Sequence, residues 1–174
     1  MNTVGRGVLI DYWKYAQDNG KKYDPYSRHA ITLSEIQACA KAQGTIFQYG
    51  DILIIRTGFV HNYGQLDSQG RKALAGTSTY VGVDSSDEMV DFLHDSYFAA
   101  VAGDAPAFEA WPPPQTWNCH EFLLARWGCP IGEMWDLERL SEACDRHGRY
   151  HFFFTSSPAN VLGELCLESS LHPR

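Results

Sequence analysis

The chain has 174 residues, 44% hydrophobic and 20% charged, with a formal net charge of −7. That length suits one domain with a proper core; the acidic balance excludes a nucleic-acid groove or an anionic membrane surface as natural partner. The longest apolar runs, ILII and FAAVA, fall far short of the ~20 residues of a membrane helix, and MNTVGRGVLIDY lacks the apolar core of a secretory signal, so the protein is expected to be cytoplasmic.

In chain order, Gly7 to Ile10 predicts a short apolar strand that needs neighbours to pair it. Residues 12 to 28 carry Tyr12, Trp13, Tyr15, Tyr23 and Tyr26 between the turn signals Asn19-Gly20 and Asp24-Pro25. Aromatic packing at a domain edge and the lining of a substrate opening are both open for them, the first being the commoner use. Thr32-Leu-Ser-Glu35 is a capping box that starts a helix with Leu33, Ile36 and Ala40 inward, stopped at Gly44. Asp51 to Thr57 reads as a buried strand between Gly50 and Gly58. Arg56 within it needs a carboxylate or carbonyl partner, in an ion pair or a substrate contact. Residues 59 to 80 read as a polar excursion with His61 exposed.

Ser85 with Glu88 caps the next helix, whose Met89, Phe92, Leu93 and Phe98 form a core stripe. Phe98 to Ala102 follows as a strand ending at Gly103-Asp104. Helices and strands that alternate in this way imply an α/β fold with a mixed or largely parallel sheet. Trp111-Pro-Pro-Pro reads as a stiff spacer. Asp136 caps a helix with Leu137, Leu140 and Cys144 inward, and Arg149 to Thr155 is the last clear strand. The expected core includes Leu53, Ile55, Phe92, Leu93, Leu123, Leu137, Leu140 and Phe153. The five cysteines (Cys39, Cys119, Cys129, Cys144 and Cys166) show no CxxC spacing, which fits reduced thiols and excludes a zinc finger.

The chemistry concentrates between Asp104 and Glu133. Asn118 is a good N-cap for a helix from Cys119 to Trp127, with Glu121 at its third position. His120 then sits in the first turn, where the macrodipole favours the neutral, metal-ligating ring. From His120 to Trp127 the helix climbs roughly 10 Å, and an extended return from Cys129 covers roughly 13 Å by Glu133. Glu133 can therefore come back beside His120, as half a metal site or as an acid/base pair. A solvated surface histidine and glutamate are the commoner identity of such residues on composition alone. His147 and His151 lie in different elements and share no face as ligands.

The segments GRGVLIDY (5–12), HAITLSEIQA (29–38), GDILIIRTGF (50–59), MVDFLHDSYFAAVAGDAPAFEAWP (89–112), HEFLLARWGCPIGEMWDLERL (120–140) and HFFFTSSPANV (151–161) resemble, in order and spacing, the metal-dependent cyclase / kynurenine formamidase-like hydrolase family, most closely its longer fungal-type branch. The resemblance implies a mixed α/β fold with a barrel-like sheet and surrounding helices, usually dimeric, that hydrolyses amide or lactam bonds in a small-molecule substrate with a divalent metal, zinc or manganese. It implies metal ligation by His120 and Glu133 and pocket support by Asp104; no catalytic acid or base is carried over. The family's histidine-rich motif, source of most metal ligands, is expected ahead of Met1, since AGTSTYVGVD (75–84) contains no histidine. The chain is therefore expected to be a truncated member, with residues 1–163 as one cyclase-like domain and 164–174 as a divergent polar tail. The competing expectations are a hydrolase whose remaining ligands come from another chain of a homo-oligomer, a non-catalytic remnant or regulatory module, and a small-molecule binder that keeps the pocket without the chemistry.

Overall fold

Apolar strands rich in Val, Leu and Ile form the frame of the computed structural model, which describes residues 3–158 and 169–170. The strands are β1 (Thr3–Asp11), β2 (Ala30–Ile31), β3 (Ile52–Arg56), β4 (Gly82–Val83), β5 (Ala100–Gly103), β6 (Ile131–Gly132), β7 (His151–Pro158) and β8 (Ser169–Ser170). The helices are α1 (Tyr12–Asp18), α2 (Leu33–Ala42), α3 (Phe59–Gln65), α4 (Ser68–Leu74), α5 (Asp87–Asp95) and α6 (Glu138–His147), with a π-helix at Glu121–Arg126. The main sheet has six strands in the order β6-β5-β3-β1-β7-β8. β1, β3, β5 and β6 are mutually parallel, and β7 is antiparallel to β1 and to β8. β2 and β4 form a separate parallel pair. The fold is thus mixed α/β with an open sheet among the described residues, and the parallel set places the C-terminal ends of β1, β3, β5 and β6 along one edge.

Each face of the sheet buries its own core. Val8, Ile10, Leu53 and Ile55 pack beneath α1 and α2 with Tyr12, Ile36, Met89 and Leu123, while Leu9, Ile52 and Ile54 pack with Leu137, Cys144 and Phe154 on the other side. The capping box of α2 forms as expected, Thr32 Oγ1 accepting from the Glu35 N–H and Glu35 accepting from the Thr32 N–H at 3.1 Å. Leu53, Ile55, Leu93, Leu123 and Leu137 are buried, whereas Phe92 and Leu140 are half-buried.

Several expectations give way. Phe153 is 78% exposed, because in a strand of period two Phe152 and Phe154 take the inner face and leave their neighbour outside. Residues 59 to 80 contain α3 and α4, and His61 binds Glu138 instead of standing free in solvent. The aromatic stretch of residues 12 to 28 begins as the helix α1, capped by Asp11, which accepts from the Lys14 N–H, and Tyr23 and Tyr26 follow outside the helix. Ser86, not Ser85, caps α5; Ser85 is buried against Cys119. The expected polar tail and Cys166 lie outside the described residues apart from β8. Among the described residues no helix is long and apolar enough to cross a membrane.

Candidate functional site

In open α/β sheets, ligands bind outside the carboxyl ends of the strands. That edge here carries Asp11 from β1, Arg56 from β3 and Thr57 just beyond it, Asp104 just beyond β5 and Glu133 just beyond β6. Parallel pairing therefore gathers residues far apart in sequence, and their partners decide which of them are free for chemistry.

His120 and Glu133 meet as their spacing predicts: His120 Nε2 lies 3.0 Å from Glu133 Oε1. The helical segment that carries His120 starts under a side-chain cap, the Glu121 N–H donating to Asn118 Oδ1 at 3.2 Å, and Cys119 anchors it to Asp84 and Ser85. The chain stops at Gly128, in the left-handed region, and returns through β6. The next two residues then hold Glu133 in place. Met134, also left-handed, donates its N–H to Ala105, and Trp135 donates to Gly103, both at 3.1 Å. Gly132 permits this turn, since a Cβ there would overlap the Trp135 indole.

A third residue completes the arrangement. His120 Nδ1 donates to both carboxylate oxygens of Glu109, at 2.9 and 2.7 Å, and Glu109 is buried to 1% exposure. Its segment is pinned to β4 by the bonds Val83 N–H to Phe108 and Ala110 N–H to Val83, at 3.0 and 2.9 Å. Gly82 lies so close to the Glu109 backbone that a Cβ would overlap it. Sequence reasoning does not single out Glu109, although a glutamate within the apolar run Phe108 to Trp111 signals a buried carboxylate in need of a donor. Tyr80 stands nearby; burial first, then the charges of Glu109 and Glu133, raise its pKa.

These carboxylates reverse the expectation of a neutral His120. The bonds to Glu109 and then Glu133 raise its pKa to about 10. A helix terminus contributes ~0.3–1 kcal/mol against the imidazolium, whereas hydrogen bonds to charged groups contribute ~1.5–3 kcal/mol each in its favour. The carboxylates outweigh the helix terminus, and the pair of them favours the imidazolium form of His120.

Asp104 is fully buried and accepts from the Thr57 N–H, the Thr57 hydroxyl and the Gly58 N–H at 2.6, 2.7 and 2.9 Å. These contacts fasten the turn between β3 and α3. Arg56 finds the ion-pair partners expected of a buried guanidinium: Nη1 donates to Asp11 at 2.9 Å, while Nε and Nη2 donate to Glu138 at 2.9 and 2.8 Å. His61 Nδ1 lies 2.6 Å from Glu138, and the Ser141 hydroxyl donates to Asp11. A separate cluster joins Tyr12 to Glu35 at 2.9 Å and Lys21 to Glu35 at 2.8 Å, with Tyr23 stacked on His29. His94, His147 and His151 are absent from the hydrogen bonds of the His120 corner.

An imidazole and a carboxylate 3.0 Å apart are donors suited to zinc or manganese, so His120 and Glu133 fit part of a coordination shell. Among the described residues no group of three or more His, Cys, Asp or Glu could hold an ion.

The family model described as "Putative cyclase" matches residues 1–110. A crystal structure of a novel cyclase is similar over 95% of this chain and 52% of its own, with 32% identity and a TM-score of 0.77. The chain thus spans about half the length of that solved relative. No curated protein matches it.

Proposed function

The chain belongs to the cyclase family, and from that premise we propose that it serves metal-dependent hydrolysis of an amide or lactam bond in a small-molecule substrate, as in kynurenine formamidase-like relatives. The observation that carries the reading is the 3.0 Å approach of His120 Nε2 to Glu133 Oε1 at the carboxyl edge of the parallel strands. His120 and Glu133 would hold the ion, zinc or manganese, with further donors from outside the described residues, a second copy of the chain in a homo-oligomer included. When bound, such a cation supplies Lewis acidity, polarising a carbonyl and easing loss of a proton from water. The chain's own part would be to hold the ring fixed and to offer Nε2 of His120 and the carboxylate of Glu133 side by side, any proton on Nε2 passing to solvent as the ion binds. Asp104 supports the same edge by fastening the turn at Thr57 and Gly58.

With two protein donors an ion is held weakly. The dialysed chain should therefore retain less than one equivalent of zinc or manganese and hydrolyse N-formylkynurenine or a simple lactam no faster than buffer. At saturating metal, hydrolysis should exceed the metal-only control, and His120→Ala should remove the excess. The small donor count favours a second reading, a small-molecule-binding or regulatory module of the same fold. Substrate binding without any rate above the metal-only control decides for it.

A further inference from the structure

We infer that Glu109 is the positioning residue of this corner: its buried carboxylate takes the Nδ1–H of His120 and so presents Nε2 as the ligating nitrogen beside Glu133. The inference rests on the metal reading above and adds a residue and a tautomer to it.

Geometry carries the argument. A neutral imidazole has one N–H and one lone pair, and the hydrogen bond at one nitrogen decides which nitrogen is left to ligate. Both Glu109 oxygens lie within 2.9 Å of Nδ1. An ionised carboxylate only accepts, so a lone pair at Nδ1 would face two oxygens and repel them. Nε2 faces Glu133, which is 32% exposed and borders solvent.

Glu109 has little freedom to move aside. Its segment is bonded to Val83 on both sides of it, and Gly82 leaves no gap behind its backbone. The His120 N–H also reaches Glu109 Oε1, at 3.4 Å. Ring and main chain of His120 are thus registered against one buried carboxylate on a pinned backbone. A carboxylate behind a ligating histidine fixes ring orientation and raises ligand basicity, and its loss costs about 10–100-fold in metal affinity.

Zinc is the probe, titrated into the 174-residue chain against a chelator of known affinity. Glu109→Gln should bind zinc about 10–100-fold more weakly and His120→Ala should lose the site. Long-range proton–nitrogen correlation on the zinc-loaded wild type should show His120 protonated at Nδ1 and metal-bound at Nε2. This second measurement needs no variant to fold, and zinc at Nδ1 or a proton at Nε2 overturns the inference. Zinc affinity of Glu109→Gln within twofold of wild type, with His120→Ala deficient, overturns the role of Glu109 and leaves the metal reading standing. A wild type without zinc at His120, or a His120→Ala variant that binds as wild type does, overturns both.

Discussion

Two charged clusters lie along the same edge of the sheet, and each sets one cation between two carboxylates. In the first, Arg56 bridges Asp11 and Glu138; in the second, His120 bridges Glu109 and Glu133. The first is closed. Asp11 receives Arg56, the Lys14 N–H and Ser141, while both Glu138 oxygens receive Arg56 or His61. Arginine cannot give up its proton in a protein, so that cluster keeps its cation and acts as architecture. Histidine can exchange a proton for a metal, and Glu133 leaves the second cluster open on one side. Similar carboxylate geometry around different cations thus separates a brace from a candidate centre.

The largest expected effect breaks the brace. Arg56→Met strands Asp11, 1% exposed, beneath the sheet edge without its cation. Loss of one partner from a buried pair costs about 3–5 kcal/mol, readable by urea unfolding. A loss below about 1 kcal/mol would mean that water already serves these groups, and the contrast with His120 would collapse.

The next effect tests the mounting of Glu109. Gly82→Ala drives a methyl into the Glu109 backbone, and overpacking of this kind costs about 1–3 kcal/mol. Zinc affinity should fall with it, because the displaced segment carries the carboxylate behind His120. Gly64→Ala is the control: nothing lies within 4 Å of the added carbon in α3, so stability should hold or rise slightly. Equal effects at the two glycines would show that the Glu109 segment is not held tightly.

Much of this is legible in the sequence, and the failures have physical causes. The isoleucine-rich β3 and the capping box of α2 are local signals, and both stand in the structure. The meeting of His120 and Glu133 is anticipated by the short helix and its extended return, although the segment is π-helical at Glu121–Arg126 where an α-helix is expected. Glu109 joins them only because its segment makes a single parallel bridge to Val83 of β4, some 26 positions earlier (109 − 83), and no local pattern encodes that pairing. Phe153 is misplaced because three consecutive phenylalanines give no phase for strand alternation. In α3 and α4, Gly64 and Gly70 together with many polar residues dilute the helical period.

A smaller effect should appear in acid and belongs to the brace. Burial works to raise the Glu138 pKa, but the bonds from Arg56 and His61 outweigh it and hold the carboxyl below its usual 4.5. A depressed folded-state pKa gives stability that is complete above the unfolded value and lost as pH falls through the folded one. Glu138→Gln should cost about 1 kcal/mol at neutral pH, as partly exposed pairs do. The wild-type and variant stability curves should then converge below pH 4.5. Parallel curves down to pH 3, roughly one unit into the acid limb, would remove Glu138 from the cluster's energetics.

The smallest expected effect on stability is the sharpest test of the comparison. Glu133 is 32% exposed, and His120 keeps its bonds to Glu109 without it. Glu133→Gln should therefore change the unfolding free energy by less than about 0.5 kcal/mol, the range of surface substitutions. Its signature lies in the response to zinc. An ion that binds only the folded chain raises stability by RT ln(1 + [L]/Kd), so wild-type melting should shift upward with added zinc while the variant's stays flat. Should Glu133→Gln instead cost several kilocalories per mole, the His120 corner would be a second brace, built like the Arg56 cluster and with no vacancy for chemistry.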